Sequence, residues 1–199
     1  VLDGLRNYTR LPLSVDTYYP QVAALALDAG ASIINDVSGS IENGMPELAA
    51  KTGAGLIMMH SGGGSDDSGQ GADALQTVGI YFESALKKAA AVGLPVGQIC
   101  LDPGIGFGKG RQGDLDLIAH LPLLTAGLPK TALLVGASRK RVISSCCGGR
   151  PPAGDRLAGT IAIHTIAALN GAHILRVHDV AAAVQAAEVT DAVLKELMG

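Results

Sequence analysis

Short apolar runs and amphipathic stretches take turns along this chain from one end to the other. "LPLSVD" (residues 11–16), "SIIND" (32–36), "GLIMMH" (55–60), "QICLD" (98–102), "TALLVGAS" (131–138) and "HILRVH" (173–178) have strand length. Their near-continuous apolar character fits strands covered on both faces. Helical patterns separate them. "YPQVAALALDAG" is predicted to start a helix at Pro20 and stop it at Gly30, and "MPELAAKTG" to end one at Gly53. "LQTVGIYFESALKKAAAVG", "DLDLIAHLPLLTAG", "DRLAGTIAIHTIAALNGA" and "AAAVQAAEVTDAVLKELMG" read as the remaining helices, the third capped by Asp155. "SGGGSDDSGQGAD" (61–73) is too polar and glycine-rich to pack and is predicted as a loop.

This βα alternation predicts a parallel sheet with covering helices. An open doubly wound sheet gathers its chemistry at one switch point, whereas in a barrel every strand can contribute a residue at its C-terminal end. Here polar residues sit at nearly every strand end: Asp16, Asn35 and Asp36, His60, Asp102, Ser138 with Arg139 and Lys140, then Arg176 with His178 and Asp179. That spread predicts a TIM-type (β/α)8 barrel, with only about six of the eight βα units visible. No composition break divides residues 1–199, so one domain is expected.

Composition narrows the function classes. A net charge of -3 without a basic stripe argues against nucleic-acid binding. No apolar run has membrane-spanning length, and "VLDGLRNYTR" lacks a signal-peptide core. Cys100, Cys146 and Cys147 make a poor disulfide framework and no zinc motif, so reduced thiols in a cytoplasmic protein are expected. No His/Asp/Glu set has metal-ligand spacing, and no serine sits in a GxSxG elbow.

The strand ends carry the candidate chemistry. Asp102 is followed by the glycine-rich "PGIGFGKG", which fits neither a P-loop nor GxGxxG and reads as a flexible flap. Asp102 alone could cap its own loop. Its equivalence with Asp16 and Asn35 points instead to a polar cup, because buried acids and amides need partners. Lys140 leaves the fifth strand, and Arg176 and His178 alternate off the sixth, so both are expected on one side. Guanidinium with imidazole suits a phosphate or diphosphate. His60 could equally belong to the strand-end cup or be a core-edge ring satisfied by backbone; His164 fits a packing or interface role, and His120 and His173 carry no signal.

Five blocks, "LSVDTYYPQVAALALDAGASIINDVSG", "LDPGIGFGKG", "LLVGASRK", "DRLAGT" and "ILRVHDV", resemble the dihydropteroate synthases, in order and at compatible spacing. The resemblance implies a (β/α)8 barrel transferase of folate biosynthesis. It would join 7,8-dihydropterin-6-ylmethyl diphosphate to p-aminobenzoate and release diphosphate. It implies pterin binding by Asp16, Asn35, Asp102, Lys140 and Arg176, with Asp102 matching the paired N–H donors of the pterin edge. Phe107, Ser138 and Lys140 would hold p-aminobenzoate, Arg176 and His178 the diphosphate, and Lys140, Arg176 and His178 the catalytic work. Mg²⁺ would bind through the diphosphate rather than a protein cage, and a homodimer through the last helices is expected.

Two departures are visible. Ser61 replaces a methionine of the family's "MHM", and the two N-terminal strands are absent, so the chain resembles roughly the last three quarters of the enzyme. Unpaired strand edges and poor turnover are therefore expected of this chain. A non-catalytic pterin-binding protein and a pterin-dependent methyltransferase-type domain are the alternatives.

Overall fold

The computed structural model describes residues 1–62 and 74–198. They form two compact units. The first comprises Val1–Ser61, Ile80–Asp102 and Leu128–Ala132; the second comprises the described residues of Gly62–Gly79, Pro103–Gly127 and Leu133–Gly199. Residues 63–73, most of the expected polar loop, lie outside the described residues.

In the first unit, α1 (Leu2–Arg6) leads to strands β1 (Ser14–Asp16), β2 (Ile33–Asp36), β3 (Gly55–Met59) and β4 (Ile99–Asp102). Each strand pairs in parallel with the next in the chain. Helices α2 (Pro20–Asp28), α3 (Met45–Thr52) and α4 (Ala74–Ala91) make the connections. A doubly wound sheet would reverse its order at a switch point. These strands run 1-2-3-4 without reversal, which is barrel topology.

The second unit repeats the scheme. Its strands β5 (Ala132–Val135) and β6 (Ile174–Leu175) pair in parallel. Between them run α7 (Arg141–Cys146) and α8 (Leu157–Leu169); α5 (Gly110–Ala119) and α6 (Leu121–Thr125) precede, and α9 (Val180–Met198) follows. Among the described residues, six parallel βα strands of a (β/α)8 barrel are present, as expected.

Register sorts the side chains of the first unit. Parallel partners share a face, and successive residues alternate. Ile34, Leu56 and Leu101 therefore share one face and are almost fully buried. The opposite face carries Asp16, Asn35, Met59 and Asp102. The polar strand ends Asn35 and Asp36 thus point opposite ways. Asp36 accepts from the Ser38 N–H at 3.0 Å and from Asn43 Nδ2 at 2.7 Å, which makes it a turn former ahead of α3.

Several predicted boundaries change. Pro20 opens α2 and Gly53, at φ 74°, closes α3, as expected. Asp155 makes no cap: it ends a short 3-10 turn, Ala153–Asp155, and α8 starts two residues later with Arg156 at its N-cap. The single helix expected over "DLDLIAHLPLLTAG" is two, broken at His120 because Pro122 has no N–H to give the Ile118 carbonyl and its ring would crowd that oxygen in a continuous helix. Helix α7 was absent from the pattern; its six residues are too few to show a period. The strands are also shorter than their apolar runs, most of all β6, because Arg176 is the last residue there to donate to β5, at the Val135 carbonyl.

Candidate functional site

In the first unit, Asp16 and Asn35 are register partners at the C-terminal ends of their strands. Asn35 Nδ2 donates to Asp16 Oδ2 at 2.9 Å. That bond orients the amide, and Asn35 Oδ1 is left as a buried acceptor with no hydrogen-bond partner. Asp102 reaches the same face two registers along, because it pairs with Met59 while Asn35 pairs with Ile57. It is 4% exposed. The face therefore presents acceptors, and a buried acceptor left open invites an N–H donor.

Burial shapes the groups around this face. The Cys100 thiol is pushed up to about 12 by burial, with the Asp102 charge adding to it. Tyr81 is pushed upward by burial first and then by the charges of Asp36 and Asp102. His60 donates its backbone N–H to the Asp102 carbonyl at 2.9 Å and meets the Tyr81 ring edge-on, with centroids 5.3 Å apart. It sits at the core edge, one of the two places the sequence left open. Ser61, the departure noted above, lies against Gly39: a Cβ on that glycine would come 2.7 Å from the serine Cβ.

In the second unit the glycine-rich loop, expected as a flexible flap, is held by hydrogen bonds. Asp114 Oδ1 accepts the Gly106 N–H at 2.8 Å, and Lys109 Nζ donates to the carbonyls of Gly104 and Phe107 at 2.9 and 3.0 Å. Gly62 N–H bonds the Phe107 carbonyl at 3.1 Å, and a Cβ at Gly62 would come 2.8 Å from that oxygen. Lys140 Nζ donates to the Ile105 carbonyl and lies 4.4 Å from the Phe107 ring centroid. This loop is tied down along its length, and its bonds bring Phe107 and Lys140 together.

Ser138, 5% exposed, meets His178 twice. Its Oγ accepts the His178 backbone N–H at 3.2 Å and lies 2.9 Å from Nδ1. Whenever Nδ1 carries a proton and donates it, the serine proton is left over for an acceptor. Arg176 stands just beyond β6, its Cβ 3.6 Å from where a Cβ on Gly136 would be. Arg176 and His178 are both exposed.

The sequence places Arg139 and Asp179 at strand ends without pairing them, and Asp114 drew no attention there. Arg139 grips Asp179 with two bonds, Nε to Oδ2 at 3.0 Å and Nη2 to Oδ1 at 2.6 Å. Their place in the "SRK" and "HDV" blocks was a signal, since an Arg and an acid leaving neighbouring strands can pair. Asp114 gave none, because one acid in a helical pattern looks like a solvated face. His173, read as silent, accepts the Leu133 N–H on Nδ1 at 3.2 Å. Among the described residues no group of His, Cys, Asp and Glu could hold a metal ion, and no helix is long and apolar enough to cross a membrane.

A family model described as pterin binding enzyme matches residues 1–178. The chain is 36% identical over 198 residues to the dihydropteroate synthase of Escherichia coli K12, covering 98% of this chain and 68% of that one. It is also 36% identical to the mitochondrial folate synthesis bifunctional protein of Arabidopsis thaliana, of which it spans only 38%. The dihydropteroate synthase of Xanthomonas albilineans, solved with 4-aminobenzoic acid, superimposes with a TM-score of 0.88 at 38% identity, covering 97% of this chain and 71% of that chain. The same enzyme in complex with 7,8-dihydropteroate gives 0.86, with 98% and 73% covered.

Proposed function

This chain belongs to the pterin-binding enzyme family, and on that premise we propose that it serves as a dihydropteroate synthase. It would act as one pterin-binding domain that joins a dihydropterin methyl diphosphate to p-aminobenzoate. The observation that carries the proposal is the Asp16–Asn35–Asp102 face. Its buried, unpartnered Asn35 Oδ1 lies on the same face as the buried Asp102 carboxylate, and that open amide oxygen asks for an N–H donor. A 2-aminopyrimidinone edge supplies such donors in pairs, and a carboxylate accepts them bidentately. Asp16 acts behind Asn35 by fixing its amide.

The second unit contributes the roles the chemistry needs. Lys140 serves the pterin and the incoming amine, and Phe107, already held by Lys140, serves the aromatic ring. Ser138 offers its proton to the benzoate carboxylate when Nδ1 of His178 donates to its oxygen. Arg176 and His178 serve the diphosphate. The methylene C–O bond breaks as diphosphate leaves, the aniline nitrogen forms the new C–N bond, and its proton goes to solvent. Charge stabilisation and alignment suffice for this, without a side-chain nucleophile. Mg²⁺ would arrive on the diphosphate, completed by water, and would neutralise its charge. Exposed apolar residues on α8 and α9 support a homodimer.

The test is calorimetry with a non-hydrolysable pterin diphosphate analogue, followed by p-aminobenzoate, alongside an assay for dihydropteroate. Binding of the analogue should permit p-aminobenzoate to bind, and Asp102→Ala should weaken the pterin step at least tenfold, since a charged hydrogen-bond acceptor is worth about 1.5 to 3 kcal/mol. Pterin binding that ignores the diphosphate and never admits p-aminobenzoate would favour a non-catalytic binder or a methyltransferase-type domain. Unchanged pterin affinity in Asp102→Ala would remove the assignment of that residue.

A further inference from the structure

Three polar residues of the "DRLAGT" segment and the helix it opens fall on one line. Arg156, Thr160 and His164 are spaced four apart, which puts them on one face of α8. All three reach the same short loop after β5. Arg156 Nη1 donates to the Arg139 carbonyl at 2.9 Å, Thr160 Oγ1 accepts the Arg139 N–H at 3.0 Å, and His164 Nε2 accepts the Ala137 N–H at 3.1 Å. Thr160 and His164 are 1% and 2% exposed. The approach depends on Gly159, where a Cβ would come 2.3 Å from Ile143 Cγ2 of α7.

The loop needs such support. Arg139 has φ 57°, the only positive value among the described non-glycine residues. A side chain in that region is strained and persists only where its surroundings over-determine it. Arg139 lies between Ser138 and Lys140, so its backbone sets the direction of both.

We propose that Arg156, Thr160 and His164 form a template on α8 that fixes the backbone of the Ala137–Lys140 loop and so positions Ser138 and Lys140. His164 works in it as the neutral Nδ1–H tautomer, because the Ala137 amide must donate and Nε2 must therefore be bare. The ring is suited to this: burial first, then the Lys140 charge, lowers its pKa to about 4. These are positioning residues, and Asp179 completes the hold from the other side through the Arg139 guanidinium. Only the roles given to Ser138 and Lys140 rest on the proposed function; the loop geometry stands without it.

Nitrogen NMR of His164 and amide hydrogen exchange test the template directly, in the wild-type chain and in His164→Leu, His164→Gln and Thr160→Val. The wild type should show a bare Nε2. His164→Leu should speed exchange at Ala137, and Thr160→Val at Arg139, by about tenfold, the loss of one modest hydrogen bond. His164→Gln, whose amide oxygen can accept the same N–H, should restore protection, and the Leu101 amide should not respond in any variant. A proton on Nε2, or unchanged exchange, overturns the template.

Positioning is read separately. With pterin diphosphate saturating, His164→Leu should raise the apparent KM for p-aminobenzoate about tenfold, as misplacement of a binding group does, and His164→Gln should recover it. If exchange responds and KM does not, the positioning role is wrong. If the wild type binds no pterin analogue, the functional reading fails, while tautomer and exchange still decide the template.

Discussion

Asp114 is 4% exposed, with one oxygen on the Gly106 N–H and the charges of Lys109, Lys140 and Arg141 within reach. Burial outweighs all of these and raises its pKa. An acid whose folded pKa is raised favours folding while protonated, and that contribution is lost as pH climbs through the folded value. Asp114→Asn should therefore fold at least as stably as the wild type at pH 7, keeping its acceptor for Gly106, with an advantage that shrinks as pH falls toward the carboxyl range. Asp114→Ala should lose about 1 kcal/mol, since it removes the acceptor. Urea midpoints at pH 7 and pH 4 decide this. Asp179 behaves in the opposite sense. The hydrogen bonds from Arg139 hold its pKa below the usual carboxylate range, so its contribution is present at neutral pH and lost as pH drops through the lowered value. Asp179→Ala should cost thermal stability at pH 7, and the difference from wild type should close in acid. A difference that persists below pH 3 would mean the pair acts by packing alone.

Gly159 sets two effects against each other at the scale of α8. Alanine in place of a helical glycine returns about 1 kcal/mol of helix propensity. A Cβ 2.3 Å from Ile143 Cγ2 meets a branched side chain packed in α7, and such overpacking costs typically 1 to 3 kcal/mol. Overpacking wins, so Gly159→Ala should lower the urea midpoint, and the Arg139 amide should lose protection as Thr160 is pushed away. The same loop shows where the sequence stopped being legible. Strand order was legible because each apolar run is separated by an amphipathic helix, and Pro20 and Gly53 mark helix ends that any parallel fold would use. Asp102, Asn35 and Asp16 stood out because polar groups ending apolar strands need partners. The lengths of β5 and β6 were not legible, since "GAS" is small enough and "RVH" alternates as a strand does, so either could extend the run. They leave the sheet because His178 N–H goes to Ser138 Oγ and Ala137 N–H to His164, both bonds from residues distant in sequence. His164 itself looked like packing for the same reason: its partner is a backbone amide, which carries no sequence signature.

Whether the whole molecule pairs with a second copy depends on α8 and α9, which pack on each other. Scattered exposed apolar residues mean little. Here they recur at helical spacing: Ile166 and Leu169 on α8 are each 47% exposed, and Val189 and Val193 on α9 are 60% and 51% exposed. A stable dimer buries about 800 Å² on each partner. Helices of 13 and 19 residues run about 20 and 28 Å, long enough to present such a face. A net charge of only -3 adds little repulsion between copies. The chain should therefore sediment as a dimer at micromolar concentration, and Ile166→Glu with Leu169→Glu should convert it to a folded monomer. Neither residue is among those that hold the loop after β5, so the monomer should keep the His164 tautomer and the Ala137 and Arg139 protection. A wild-type chain that stays monomeric at about a hundred times that concentration would refute the dimer, since a mutual apolar face of this size should then be at least partly occupied.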